Sequence, residues 1–140
     1  MGKTRQHANF KSGTNLHVDT DNNRVGVGTT IPSSTLQVSG TITCVDVNST
    51  SDVNLKENIH QIKNPLDKVI QINGVGFRWK DSKEEAMGVI AQDIEEVIPE
   101  LVKNSNGTKT VNYNGLVGVL IEAIKEQQRQ IEELKKQINN

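Results

Sequence analysis

The chain has 140 residues and a mass of 15.4 kDa, which is enough for one ordinary domain or for several small pieces. One Trp, one Tyr and two Phe, with a hydrophobic content of 34%, leave little material for a large core, so we expect the chain not to complete its core alone. Sixteen basic and seventeen acidic residues give a net charge of −1, which argues against nucleic acid and anionic membranes as partners.

The sequence also argues against membrane insertion and secretion. No run of about 18 apolar residues is present, and the opening segment lacks the apolar stretch of a secretory signal. Cys44 is the one cysteine, so no internal disulfide can form, and its most economical interpretation is a small apolar residue on a strand. We therefore expect a soluble protein of a reducing compartment.

Residues 1–50 are rich in Thr, Ser, Asn, Gly and Val, and they contain short alternating runs. These runs predict strands at residues 16–18, 24–28 and 35–38. The sequence Asp21-Asn22-Asn23 predicts a hairpin turn, and Pro32 excludes a continuous central strand. The apolar residues of this segment are too few to form a closed core. The segment is therefore either disordered or packs against copies of itself, as fibres do.

From Ser51 onwards the composition changes, because charge rises and helical spacing appears. A helix is predicted after Asn64-Pro65, then a strand at residues 75–79, a polar turn, and a strand at 87–90. Residues 91–98 predict an amphipathic helix that ends at Pro99, and a hairpin follows with its turn at 104–107. The two aromatic residues of the first strand, Phe77 and Trp79, predict a small core.

The last segment predicts a coiled coil, because apolar residues occupy the a and d positions of successive heptads. The seam consists of Val117, Leu120, Ile124, Gln127, Ile131, Leu134 and Ile138, and charged residues occupy b, c and f. The alternative is an amphipathic helix that packs on its own domain. Ile at a with Leu at d favours two strands, whereas Gln127 at d and Ile121 at e favour three, so the heptads leave the oligomer open.

Motifs for metals and cofactors are incomplete. Asp19-x-Asp21-x-Asn23 begins like a calcium loop, but Arg24 stands where that loop requires Gly. Gly26-Val27-Gly28 has no third glycine and no following helix, so it is interpreted as part of a strand. The three histidines, at positions 7, 17 and 60, share no metal-ligand spacing with each other or with Cys44. We expect no metal and no cofactor.

A serine and a lysine lie five residues apart at the change in composition, in Ser51-Asp52-Val53-Asn54-Leu55-Lys56. Residues 51–127 resemble the C-terminal intramolecular chaperone domain of phage tail spikes and tail fibres, the peptidase S74 family. The resemblance rests on ordered blocks: Ser51-Asp52-x-x-Leu55-Lys56-Glu57-Asn58-Ile59, Pro65-Leu66-Asp67-Lys68-Val69, Gly74-Val75-x-Phe77-x-Trp79, Gly88-Val89-Ile90-Ala91-Gln92-Asp93-Ile94-Glu95 with Pro99-Glu100-Leu101-Val102, Val111-Asn112-Tyr113, and Leu120-Ile121-Glu122-Ala123-Ile124-Lys125-Glu126. Residues 25–40 resemble, more weakly, stretches found upstream in such fibres.

The resemblance implies an α+β protein that forms an intertwined homotrimer. Its parts would be a β-structured fibre segment at 1–50, a mixed α/β chaperone and autoprotease domain at 51–115, and a coiled-coil helix at 116–140. The chaperone would drive trimerisation and folding of the fibre segment, its client, and then release itself. The implied location is the virion tail fibre or spike, assembled in the cytoplasm of the host bacterium.

The resemblance also implies a catalytic Ser/Lys dyad at Ser51 and Lys56 that acts once, on its own chain. A lysine ammonium cannot accept the serine proton, so the fold must desolvate Lys56. Attack on the carbonyl of Thr50 closes a five-membered ring, which favours cleavage of Thr50–Ser51, whereas a serine acting across subunits could cut Ser51–Asp52. The alternative function is a structural trimerisation cap that does not cleave, and a free-standing hydrolase finds no further support.

Overall fold

The computed structural model describes residues 15–105 and 107–139. The predicted features at the N-terminus, including His7, therefore lie outside the described residues. The chain divides into two compact units, residues 1–55 and residues 56–140. No helix within the described ranges is long and apolar enough to cross a membrane.

The first unit contains one small sheet. Strands β1 (Leu16–Asp19) and β2 (Arg24–Val27) form an antiparallel hairpin, and β3 (Leu36–Val38) lies parallel to β2, so the strand order is β1-β2-β3. The turn between β1 and β2 is fixed by Asp19, whose carboxylate accepts hydrogen bonds from both the backbone and the side-chain nitrogen of Asn22. These bonds hold the pKa of Asp19 below its usual value.

The connection from β2 to β3 lies against one face of this sheet. Pro32, in the middle of the connection, is fully buried, and its carbonyl accepts a hydrogen bond of 2.9 Å from the Arg24 guanidinium. A Cβ atom on Gly26 would lie 2.3 Å from the carbonyl oxygen of Thr29. Only glycine at position 26 allows the connection to approach the sheet this closely.

The second unit contains two hairpins and three helices. The helices are α1 (Pro65–Ile70), α2 (Ala91–Val97) and α3 (Tyr113–Ile138). One hairpin pairs β4 (Val75–Arg78) with β5 (Glu85–Gly88), and the other pairs β6 (Val102–Ser105) with β7 (Thr108–Val111). Short 3₁₀ turns occur at Pro99–Leu101 in this unit and at Val53–Leu55 in the first.

The buried apolar side chains lie on two of the helices. Ile94 and Ile98 belong to α2 and its end, and α2 packs against the second hairpin, whereas Val119 and Ala123 belong to α3, which packs against α1. Lys109 of β7 forms an ion pair with Glu95 of α2, which ties the second hairpin to α2. The Asn112 side chain accepts a hydrogen bond of 3.2 Å from the backbone of Gly115 and so caps the N-terminus of α3.

Most predicted elements are confirmed, including the strands of residues 16–38, both hairpins and the three helices. Strand β5 begins at Glu85, earlier than predicted, because the hairpin closes directly after the turn with Arg78 opposite Glu85. Tyr113 is the first residue of α3, since Asn112 caps the helix there. Phe77 and Trp79 pack edge to face at 5.1 Å as expected, but Trp79 is 58% exposed and does not form a core.

The close approach at Gly26 gives a prediction about stability. Gly26→Ala should destabilise the first unit by about 1–3 kcal/mol, because the new methyl group cannot fit beside Thr29 without moving backbone. Hydrogen exchange of the Val25 amide, which donates to the Thr35 carbonyl, measures the effect.

Gly76→Ala is the matched control, since Gly76 also lies in a strand and has nothing within 4 Å of the position of its Cβ. Equal exchange in the two variants, or faster exchange in Gly76→Ala, would contradict this account.

Candidate functional site

The segment that joins the two units is exposed throughout residues 39–60. Its one ordered turn, Val53–Leu55, is organised by Asp52. The Asp52 carboxylate accepts a hydrogen bond of 2.8 Å from the backbone of Asn54, and the Asp52 carbonyl accepts one of 3.2 Å from the backbone of Leu55. The backbone directly after Ser51 is therefore held in a defined turn.

The predicted cleavage-site residues Thr50, Ser51 and Asp52 are all exposed and belong to the first unit. Lys56 is exposed as well and is the first residue of the second unit. A lysine acts as a general base only as the neutral amine, and removal from water favours that form.

Apolar side chains surround Lys56 along the chain without being buried. Val53 is 63% exposed, Leu55 73% and Ile59 65%. Exposed apolar side chains at this density favour association, because covering each one removes apolar area from water. Anything that covers them also displaces water from the neighbourhood of Lys56.

Helix α3 has two different apolar faces. Val119 and Ala123 are buried within the second unit, whereas the a and d residues of the predicted seam are exposed. The apolar side chains of that seam are 40–81% exposed: Val117, Leu120, Ile124, Ile131, Leu134 and Ile138. The helix therefore packs on its own domain through one face, which confirms the alternative interpretation for that face, while the coiled coil through the exposed seam stays a prediction.

Two glutamates of α3 attach the helix to α1 and to the segment before it. Glu122 accepts hydrogen bonds from Lys125 at 2.7 Å and from the Gln61 side chain at 2.8 Å, and these bonds hold its pKa below the usual value. Glu126 accepts a bond of 3.4 Å from the backbone of Leu66, in the first turn of α1. A groove of about 410 Å³ lies beside these contacts and is lined mainly by polar and charged side chains.

The sequence did not indicate this attachment. Its heptad pattern assigned Glu122 and Glu126 to the outer, solvated face of a coil, and their partners lie about sixty residues earlier in the chain. The one available signal was the small side chain of Ala123, which allows close packing of α3. Among the residues that the structure describes, no group of His, Cys, Asp or Glu is placed to hold a metal ion.

Comparison with known proteins shows which family and which proteins this sequence is similar to. Residues 51–103 match the Peptidase S74 family, described as a chaperone of endosialidase. The chain is 42% identical over 111 residues to the long tail fiber protein Gp37 of Salmonella phage S16 and 32% identical over 98 residues to that of Enterobacteria phage K3. The matched part covers 71% and 63% of this chain but only 15% and 8% of those two proteins, so the chain spans a small part of its relatives' length.

The lowered pKa of Glu122 gives a prediction about pH. Its ionised form is favoured by folding, so the contact with Gln61 is at full strength above the usual carboxyl range and is lost as the pH falls through the lowered pKa. We expect acidification to lower the protection of the Lys68 amide, which donates to the Asn64 carbonyl in the first turn of α1, and Glu122→Gln to reduce that pH dependence. Protection is the exchange rate measured relative to the intrinsic rate at the same pH.

Glu133→Gln is the matched control, because Glu133 pairs with Arg129 of the same helix at 2.9 Å. Unchanged pH dependence in Glu122→Gln would show that another group controls this contact.

Proposed function

From the membership of residues 51–103 in the Peptidase S74 family of chaperones of endosialidase, we propose that this chain is the self-releasing chaperone end of a phage tail fibre. The observation that carries the proposal is the match to the family, which begins at Ser51, inside the exposed segment of residues 39–60 that follows the small sheet. The client is the fibre segment of residues 1–50, and the chaperone comprises a domain at 51–115 and the helix of 116–140.

The relatives support a place in the tail fibre. Each is named a long tail fiber protein, and the similarity extends over more of this chain than the family match alone. The proposed location is therefore the virion tail fibre, with assembly in the cytoplasm of the host bacterium. Neither nucleic acid nor a lipid bilayer is needed as a partner for this role.

The proposed assembly is a parallel homotrimer held by α3. Its support is the seam of exposed apolar residues on a helix of 26 residues, whose other face is already occupied within the domain. A seam that is exposed to water does not stabilise an isolated helix, whereas association of parallel copies buries the seam along its length. Three fibre chains must also enter the chaperone from one end and in register.

The proposed reaction is a single cut beside Ser51. Lys56 accepts the hydroxyl proton of Ser51, and the Ser51 hydroxyl oxygen attacks the carbonyl carbon of Thr50. This attack closes a five-membered ring. The bond from that carbon to the Ser51 nitrogen breaks, the nitrogen receives the proton, and an ester remains. Water then hydrolyses the ester, which separates residues 1–50 from residues 51–140. A serine that acts across subunits would cut Ser51–Asp52 instead.

Assembly would switch this reaction on. In the single chain Lys56 is exposed, and so are the apolar residues on either side of it. Packing of neighbouring copies over Val53, Leu55 and Ile59 would remove water from Lys56 and favour the neutral amine that the reaction needs. The cut would then follow folding and not precede it.

A second candidate is a trimerisation cap that does not cleave. The exposure of both Ser51 and Lys56 favours it, because an assembly that leaves them in water provides no general base. This cap would keep the helix seam and the chaperone domain, and it differs from the first candidate only at the junction.

Variants at the junction separate the two candidates. The assembled wild type should yield residues 1–50 and 51–140, whereas Ser51→Ala and Lys56→Ala should stay whole. Lys56→Arg should also stay whole, since it keeps the charge but provides no usable base. Intact-mass spectrometry of freshly purified protein measures each outcome.

Ser49→Ala is the matched control, because it removes a hydroxyl two residues from Ser51 and leaves the proposed dyad unchanged. Normal cleavage in Ser51→Ala would refute the mechanism, and a wild type that assembles but stays whole would support the cap.

The seam gives a prediction about oligomer stability. Gln127→Leu should raise the thermal midpoint of the assembly by several degrees and loosen its register, because a polar d layer costs stability and opposes slippage. Gln128→Leu, the same change one residue away and off the a and d positions, should have a smaller effect. Sedimentation equilibrium that gives a monomer or a dimer of wild type at micromolar concentration would contradict the trimer.

A further inference from the structure

Three asparagines of this chain are followed directly by glycine: Asn73, Asn106 and Asn114. An asparagine side chain lies close to the backbone nitrogen of the next residue, and glycine offers that nitrogen with no Cβ beside it. Attack of this nitrogen on the side-chain amide closes a five-membered ring, so both reacting groups are held within one chain. The three pairs are identical in sequence, but the structure gives them different surroundings.

The first pair has a backbone nitrogen that the fold does not use. Asn73 and Gly74 lie in the irregular link between α1 and β4, and both are exposed. Trp79 donates a backbone hydrogen bond of 3.0 Å to Glu84 at the far end of the β4–β5 hairpin. Hydrogen bonding alternates along antiparallel strands, so Val75 bonds to β5 and the Gly74 amide points away from it. In the part of the chain that the structure describes, this amide donates no hydrogen bond.

Packing and backbone geometry do not require glycine at position 74. A Cβ atom there would have no heavy atom within 4 Å beyond its chain neighbours, and Gly74 is not among the residues with positive φ. Gly115 differs, because a Cβ atom there would clash with the side chain of Leu101. Packing therefore explains Gly115, whereas the effect of Gly74 is an unhindered nitrogen next to Asn73.

Asn114 provides a comparison within the same molecule. It is also exposed, but it lies in the first turn of α3. The Gly115 amide donates to the Asn112 carbonyl at 3.2 Å and to the Asn112 side chain at 3.2 Å. The helix also fixes the backbone dihedral that would have to rotate, so Asn114 reacts only after α3 opens locally. Residue 106 lies outside the described residues, so the third pair is not used for comparison.

We propose that Asn73–Gly74 is a site of spontaneous covalent modification, at which asparagine becomes aspartate or isoaspartate with water as the second reactant. The Gly74 nitrogen bonds to the side-chain carbonyl carbon of Asn73. The amide nitrogen leaves as ammonia together with the proton of the Gly74 nitrogen, and a cyclic imide remains. Water then opens one of the two carbonyl–nitrogen bonds of the imide. The reaction uses neither Ser51 nor Lys56, so it is independent of the proposed function.

The two products change the link in different ways. Opening at the side-chain carbonyl gives aspartate with an unchanged backbone, whereas opening at the main-chain carbonyl gives isoaspartate and adds one methylene to the backbone. Either product adds one negative charge to a chain whose net charge is −1. The link, residues 71–74, joins β4 to α1, which packs against α3. The modification therefore alters a connection inside the second unit as the protein ages.

Peptide mapping of the full chain by mass spectrometry tests the proposal. In folded wild type kept at mildly alkaline pH, conversion of amide to carboxylate should be about tenfold faster, or more, at Asn73 than at Asn114, because α3 must open before Asn114 reacts. In denaturant the two sites should react at similar rates, since α3 no longer holds the Gly115 amide. Equal rates at Asn73 and Asn114 in the folded chain would overturn the proposal.

A pair of alanine variants tests the role of the glycine. Gly74→Ala has room for its methyl group and should slow conversion of Asn73 about tenfold or more, because the methyl group hinders the attacking nitrogen. It should leave hydrogen exchange of the Ile72 amide, which donates to the Val69 carbonyl, unchanged.

Gly76→Ala is the matched control, since position 76 also has nothing within 4 Å of its Cβ and lies two residues away. It should leave the conversion rate of Asn73 unchanged. Conversion in Gly74→Ala as fast as in wild type, or slowed equally in both variants, would contradict the proposed attack by the Gly74 nitrogen.

Discussion

A surplus of apolar surface over available core is the constraint on which the rest of this structure depends. The hydrophobic side chains buried among the described residues are Ile94, Ile98, Val119 and Ala123, all within the second unit. The first unit buries Pro32 and otherwise leaves most of its apolar residues partly in water. Hydrophobic burial is the main force that offsets chain entropy, so a single chain lacks much of what a folded state requires. Exposed apolar side chains occur together on the small sheet of the first unit, in the junction around Lys56 and along the helix seam, while others, such as Ile70 and Met87, are scattered over the second unit.

These three surfaces differ in how readily they can associate. The seam lies on a long helix with local hydrogen bonding, and helices form within microseconds without contacts between distant parts of the chain. The apolar side chains of β1 to β3 lie together only after a hairpin and a parallel strand have formed. In the proposed assembly the seam would therefore associate before the small sheets. Glu122 contacts the segment before α1 and Glu126 contacts α1 itself, so association through the seam would also bring the domains together.

The sequence predicted the elements well because each has a local signal. Alternation defined β1 to β3, Asn64-Pro65 defined the start of α1, and the heptads defined α3. The sequence was less informative about which face of a helix or strand packs against which other element. Trp79 is typical of a core residue but is 58% exposed, because the buried apolar side chains come from α2 and α3 and the hairpin that carries Trp79 contributes none of them. Glu122 has the character of a solvated residue but binds Gln61, a contact that only the folded chain brings together. For the junction, geometry alone does not single out Ser51 and Lys56, and their proposed roles come from the family.

The proposed cut depends on the same constraint. Ser51 and Lys56 lie in an exposed segment whose apolar residues Val53, Leu55 and Ile59 are also exposed, so covering those residues and removing water from Lys56 would be one event. Under this proposal a chain that has not assembled would stay whole, which would protect the fibre from losing its chaperone too early. After the cut, the released fibre has lost the helices that raised the local concentration of its strands. It would then persist because unfolding is slow and not because refolding is easy, as expected of a product that is kinetically trapped.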